Sequence, residues 1–90
     1  MAGQFTGMDI DAVKTLSGLM KTKGEEIRTV MNTLTTQLQN TQWVGADRER
    51  FLSDWQSQHV AALTRVAAGL DDASVLASQN ATQQEQASNG

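Results

Sequence analysis

Few side chains in this sequence are suited to chemistry. His59 is the only histidine, and there is no cysteine and no tyrosine. A nucleophile needs a base within reach and a third group to orient it, and one histidine among scattered carboxylates supplies no such constellation. Zinc-type sites need three or four ligands, which a chain without cysteine and with a single histidine does not cluster. The acidic pairs Glu25-Glu26 and Asp71-Asp72 read as solvated helix surface. The 7 glycines are dispersed, so none of them builds a phosphate-cradling loop. The 7 Lys and Arg residues are spread along a chain of net charge -3, without the basic stripe that phosphate neutralisation requires. The residue types therefore point away from an enzyme, a metal, a cofactor or a nucleic-acid partner, and toward binding through apolar surface.

The elements that carry that surface follow from periodicity. Residues 1–8 hold two glycines and no apolar period, and read as a flexible N-terminal arm. Asp9 is a good N-cap, Asp11 places negative charge in the first turn, and Met8 can staple onto Val13. A helix over 10–39 then presents Val13, Leu16, Leu19, Met20, Ile27, Val30, Met31, Leu34 and Leu38 within one sector about 120° wide. Lys23 falls in the same sector, where snorkelling of its ammonium to water is preferred over pairing with a partner carboxylate. Gly24 costs about 1 kcal/mol against alanine in a helix interior. The stripe stays in phase across it, which predicts one helix weakened in the middle.

A turn over 40–46 leads to a second helix over 47–79. Its stripe is Phe51, Leu52, Trp55, His59, Ala62, Leu63, Val66, Leu70, Ala73 and Ala77, again about 120° wide. Gly69 lies in it, where close approach of another backbone is the expected benefit. Val60 and Val75 fall outside it as exposed apolar residues. His59 sits mid-stripe: it is either a pH switch for dimer dissociation or, the preferred reading, a histidine hydrogen-bonded across an interface. Residues 80–90 are polar and aperiodic, and read as a flexible C-terminal tail. The fold class is thus all-α, an antiparallel helix-turn-helix hairpin over 9–79, with rods roughly 45 to 50 Å long.

Ninety residues make one domain at most, and a chain of that size buries a small share of its surface alone. Two helices packed only on each other need a seam near two positions in seven, whereas these stripes are nearer three in seven. The uncovered remainder exceeds what a monomer usually exposes, and pairing two hairpins into a four-helix bundle would cover it. The expected interface and core are Val13, Leu16, Met20, Ile27, Val30, Leu34 and Leu38 on the first helix, and the stripe from Phe51 to Ala73 on the second. No run of about 18 apolar residues could span a bilayer, so no stable membrane insertion is expected. The N-terminus lacks the pattern of a secretory signal, so any export is expected to proceed without a removable leader.

Trp43-Val44-Gly45 marks the bend. Gly45 can adopt the positive φ that ends a helix, and a large aromatic at a turn either closes the hairpin core or serves recognition, two compatible roles. With about 90 residues, this W-x-G at the midpoint, a helix on either side, a polar tail and the aromatics Phe51 and Trp55 downstream, the sequence resembles the WXG100 family of small proteins of type VII secretion (ESAT-6-like, ESX-type systems). The resemblance covers about 9–85. It implies a secreted subunit of an antiparallel four-helix-bundle dimer, made in the cytoplasm, exported without a cleaved signal peptide, and recognised through its tail by the secretion-system ATPase. It also implies a second WXG100-type chain as partner.

One departure stands out. Such pairs usually carry a Tyr-x-x-x-Asp/Glu export motif after the second helix, and aligned on Glu85 the tyrosine position here is Ala81. Either a partner carries the signal, or Glu85 and its neighbours form a degenerate one. The first is preferred, since a heterodimer needs only one readable tail; a homodimer stays open, as does an intracellular adaptor that never leaves the cell.

Overall fold

The computed structural model describes residues 7–89. Helix α1 spans Ile10–Asn40, and the returning arm consists of α2, Ala46–Asp54, a π-helical turn, Trp55–Val60, and α3, Ala61–Asn89. No strand occurs among the described residues. The two arms lie side by side in a rod of 67 × 21 × 17 Å, an all-α hairpin. The expected N-terminal arm, 1–8, falls outside the described residues up to position 6. Gly7 lies against the Gln84 side chain, with Nε2 3.0 Å from where a Cβ would stand.

The start of α1 follows from its cap. Asp9 adopts extended φ/ψ and its carboxylate accepts a hydrogen bond from Ala12 N–H at 3.1 Å, satisfying one of the donors that the first turn leaves free. The helix then runs unbroken through Gly24, and this glycine is buried. A Cβ there would meet Ala67 O at 3.3 Å and Asp71 Oδ1 at 3.1 Å. The residue expected only to weaken the helix is therefore one at which the two arms approach closely, and its missing side chain permits the approach.

Small residues fill the other buried positions of the seam. Ala67 and Ala81 are fully enclosed, and Ser17 and Ser74 are the buried polar residues. The serines face one another: Ser17 Oγ donates to Ser74 O, and Ser74 Oγ donates to Ser17 O, both at 2.7 Å. Side chains this short reach across only when the backbones approach at the low end of the usual 8–10 Å between helix axes. Lys14 Nζ pairs with Glu85 at 3.1 Å at the open end of the hairpin, and Arg28 Nη2 with Asp71 Oδ2 at 2.6 Å near the middle.

Four sequence expectations need correction. The second helix does not stop at 79, and 80–90 is not a flexible tail as far as it is described: α3 continues to Asn89, because Ala81 fits the small-residue seam and Glu85 ties to Lys14. Gly45 does take positive φ, 122°, but as the residue before α2, its carbonyl accepting from Glu49 N–H at 3.2 Å. Helix α1 ends earlier, at Asn40, where Thr41 N–H bonds Leu38 O and Thr41 Oγ1 bonds Gln37 O.

The second arm, third, is not one α-helix: the π turn inserts a residue's worth of phase, so His59 is exposed while Val60, expected outside the stripe, is half-buried. Gly69, last, has nothing among the described residues beyond its own helix within 4 Å of a Cβ position, so the close approach expected there is not made by the described part of the hairpin.

Candidate interaction face

The two long sides of the hairpin differ in kind. Projected at about 100° per residue, Leu16, Leu19, Val30 and Leu34 of α1 and Ala62, Val66 and Ala73 of α3 fall on one side of the seam, while Lys21, Glu25, Arg28, Asp71 and Val75 fall on the other. The hollows agree with this division. A trough of about 360 Å³ is lined by Lys23, Glu26, Ile27, Val30 and Leu63, and a second of about 260 Å³ by Leu34, Gln37, Leu38, Thr41, Phe51 and Trp55. A hollow of about 220 Å³ on the opposite side is walled by Lys21, Glu25, Arg28, Asp71, Ser74 and Val75.

Both apolar troughs are bounded by side chains from both arms, so the surface belongs to the hairpin rather than to one helix. Leu16, Leu19, Val30, Leu34, Phe51 and Val66 are each between 45% and 54% exposed. Isolated exposed apolar residues need no explanation, but here six of them fall on one side of the two arms. Lys23 lies at its edge and turns its ammonium onto Glu26 at 3.1 Å, so the aliphatic stem covers apolar surface while the charge is paired within its own helix.

Near the bend the face is anchored by aromatics. Trp55 Nε1 donates to Thr35 Oγ1 at 2.8 Å, and Thr35 Oγ1 donates in turn to Met31 O at 2.8 Å. This chain of bonds fixes the start of the π turn against α1. Trp43, about one-third exposed, packs on Phe51 with ring centroids 5.4 Å apart, within the range for tilted aromatic pairs. Val44 beside it is 92% exposed. His59 stands 5.9 Å from Trp55, ring to ring.

On the polar side, the hydrogen bond to Asp71 raises the pKa of Arg28 above its ordinary value; partial desolvation opposes the rise, and the charges of Asp71 and Glu25 add to it. The guanidinium is charged at any ordinary pH, so this pair acts as a cross-arm clasp. No protein-family model, curated protein or solved structure matches this chain. Among the described residues, no three His, Cys, Asp or Glu converge as a metal site, and no helix is long and apolar enough to cross a membrane.

The expected site residues separate into three groups. Val13, Met20, Ile27, Leu38, Leu52, Trp55, Ala62, Leu63, Leu70 and Ala73 are half-buried, Ala62 and Ala73 toward the open face. Leu16, Val30, Leu34, Phe51 and Val66 are exposed on the open face, and His59 is exposed beside Trp55. Ala81 and Glu85, placed by the sequence in an export tail, lie within α3, one enclosed and one ion-paired. Sequence reasoning missed Ser17, Gly24, Ala67 and Ser74 as seam residues. The available signal was a small residue at every seventh position, Ser17 and Gly24 on one arm and Ala67, Ser74 and Ala81 on the other, a heptad spacing that hydrophobicity does not register.

Proposed function

We propose that this protein is a non-catalytic binding subunit: one half of a helical-bundle dimer with a second W-x-G chain, exported by a type VII secretion system without a cleaved signal peptide. The observation that carries the reading is the open apolar face, which runs along both arms of a hairpin bent at Trp43-Val44-Gly45 and has the exposure expected of a surface that another chain covers. The seam is already filled by small residues, so these larger side chains have no destination within their own chain. A paired hairpin would bury them in a four-helix core.

The C-terminal segment favours a partner that carries the export signal. Ala81 occupies the position of the family's tyrosine, and its side chain is enclosed against α1, while the Glu85 carboxylate is engaged by Lys14. The secretion ATPase then reads the partner's tail, and this chain travels with it.

Light scattering on the purified chain, alone and mixed with the product of the neighbouring gene, tests the pairing: a 1:1 complex is expected, and a monomer indifferent to any W-x-G partner would refute it. Export is tested by assaying culture filtrate with and without the secretion ATPase. Retention inside the cell in both cases would leave the intracellular adaptor as the better reading.

A further inference from the structure

The π turn at Trp55–Val60 resolves a conflict of phase within the second arm. Were the arm an unbroken α-helix at about 100° per residue, Trp55 and Ala67 would point about 120° apart, and Trp55 and Ser74 about 100° apart. Both could not face α1. Yet Trp55 reaches Thr35 at 2.8 Å, Ser74 reaches Ser17 at 2.7 Å, and Ala67 is fully enclosed. The wide turn inserts one residue into the helix and brings both sets onto α1 together.

The same turn decides what is displayed. In an unbroken helix Ala62, Val66 and Ala73 would each lie within about 20° of Trp55 and would face α1 with it. In the structure they lie on the side of the open face, and Val66 is 53% exposed.

We propose that the π turn is a register device with two settings. In the observed setting the small-residue seam is closed and Val66 and Ala73 are turned toward the open face. If the turn collapses to α-helix while Trp55 stays on Thr35, α3 rotates by about one residue, about 100°: Ala73 takes the place of Ser74, Val66 that of Ala67, and the valine is withdrawn from the face. On the proposed pairing, a second W-x-G hairpin seated on the open face draws the equilibrium toward the π setting, because only that setting offers the full surface. The device is independent of whether the chain is exported.

The chain has no cysteine, so introduced pairs report register without background. Two pairs, Ser17→Cys with Ser74→Cys and Ser17→Cys with Ala73→Cys, are oxidised in the full chain and again after deletion of the exposed Gln58. Removing one residue from the turn converts it to α-helix while leaving both flanks in their observed phase. The 17/74 pair is expected to form in both backgrounds; the 17/73 pair is expected to be trapped in the parent and lost on deletion. Unfolding of the deletion variant, or failure of its 17/74 pair, would overturn the phase argument. A 17/73 pair that forms equally in both backgrounds, or in neither, would overturn the second setting.

Discussion

The seam and the open face are built from the same two helices with opposite materials. The buried positions of the seam are all small, Ser17, Gly24, Ala67, Ser74 and Ala81, whereas the open face carries Leu16, Leu19, Val30, Leu34 and Val66. Where burial would contribute most per side chain, the hairpin leaves the side chains half in water. Close backbone approach explains the seam: small residues bring the helices near enough for serine-to-carbonyl bonds and for contact along their whole length. An ordinary monomer would place leucines there. This one leaves its large apolar groups half exposed, and the difference separates the part of the molecule that makes the hairpin from the part that, under the proposed function, would make a complex.

The seam is the place to break first. Gly24→Leu puts a large side chain where even a Cβ would stand 3.3 Å from Ala67 O. Backbone cannot swing aside as a flexible side chain can, so the arms must separate over several turns. A loss of about 3 kcal/mol is expected, at the upper end for overpacking, read as a lowered thermal midpoint. Unchanged stability would mean the arms are not held at this distance in solution.

A smaller loss is expected from Ser74→Ala. It removes the donor to Ser17 O and leaves the reciprocal bond intact. No buried side-chain N or O among the described residues lacks a partner in the native chain, and the substitution creates none, since Ser17 Oγ keeps Ser74 O as acceptor. The cost should therefore be that of one modest hydrogen bond, about 1 kcal/mol, measured by denaturant unfolding. A much larger loss would show that the pair acts as a unit.

The sequence made the hairpin legible because its ends are marked by chemistry that acts locally: Asp9 caps a first turn, Gly45 supplies a φ of 122°, and two amphipathic stretches flank them. The first helix was read to within one residue of its end for that reason. The apolar stripe of α1 was also legible, yet its meaning was not. A stripe records which residues avoid water, without saying whether their own chain or another covers them. The seam escaped notice because Ser17, Gly24 and Ser74 carry little hydropathy and Ala67 falls out of phase with the second stripe, and it was this seam that carried α3 past the residues read as a tail. The π turn escaped for a different reason. The stripe from Phe51 to Ala73 fits an unbroken α-helix well, and the phase jump is imposed by tertiary demands from both sides, Trp55 on Thr35 and Ser74 on Ser17.

The open face should respond least when the hairpin is measured alone. Leu19→Gln combined with Val66→Gln replaces side chains that are each about half exposed and leaves every cross-arm hydrogen bond and ion pair in place. Surface changes of this kind usually fall within about 0.5 kcal/mol each, and the midpoint of thermal unfolding should hardly move. Association should respond quite differently. If a partner helix covers both positions, burying two amides in place of two apolar side chains weakens the complex by about tenfold or more, measurable by titration calorimetry with the partner chain. A variant that unfolds easily but still binds, or one that binds as tightly as the parent, would mean that face and seam have been assigned the wrong way round. The double substitution thus reads the two regions in one molecule, stability reporting on the seam and affinity on the face.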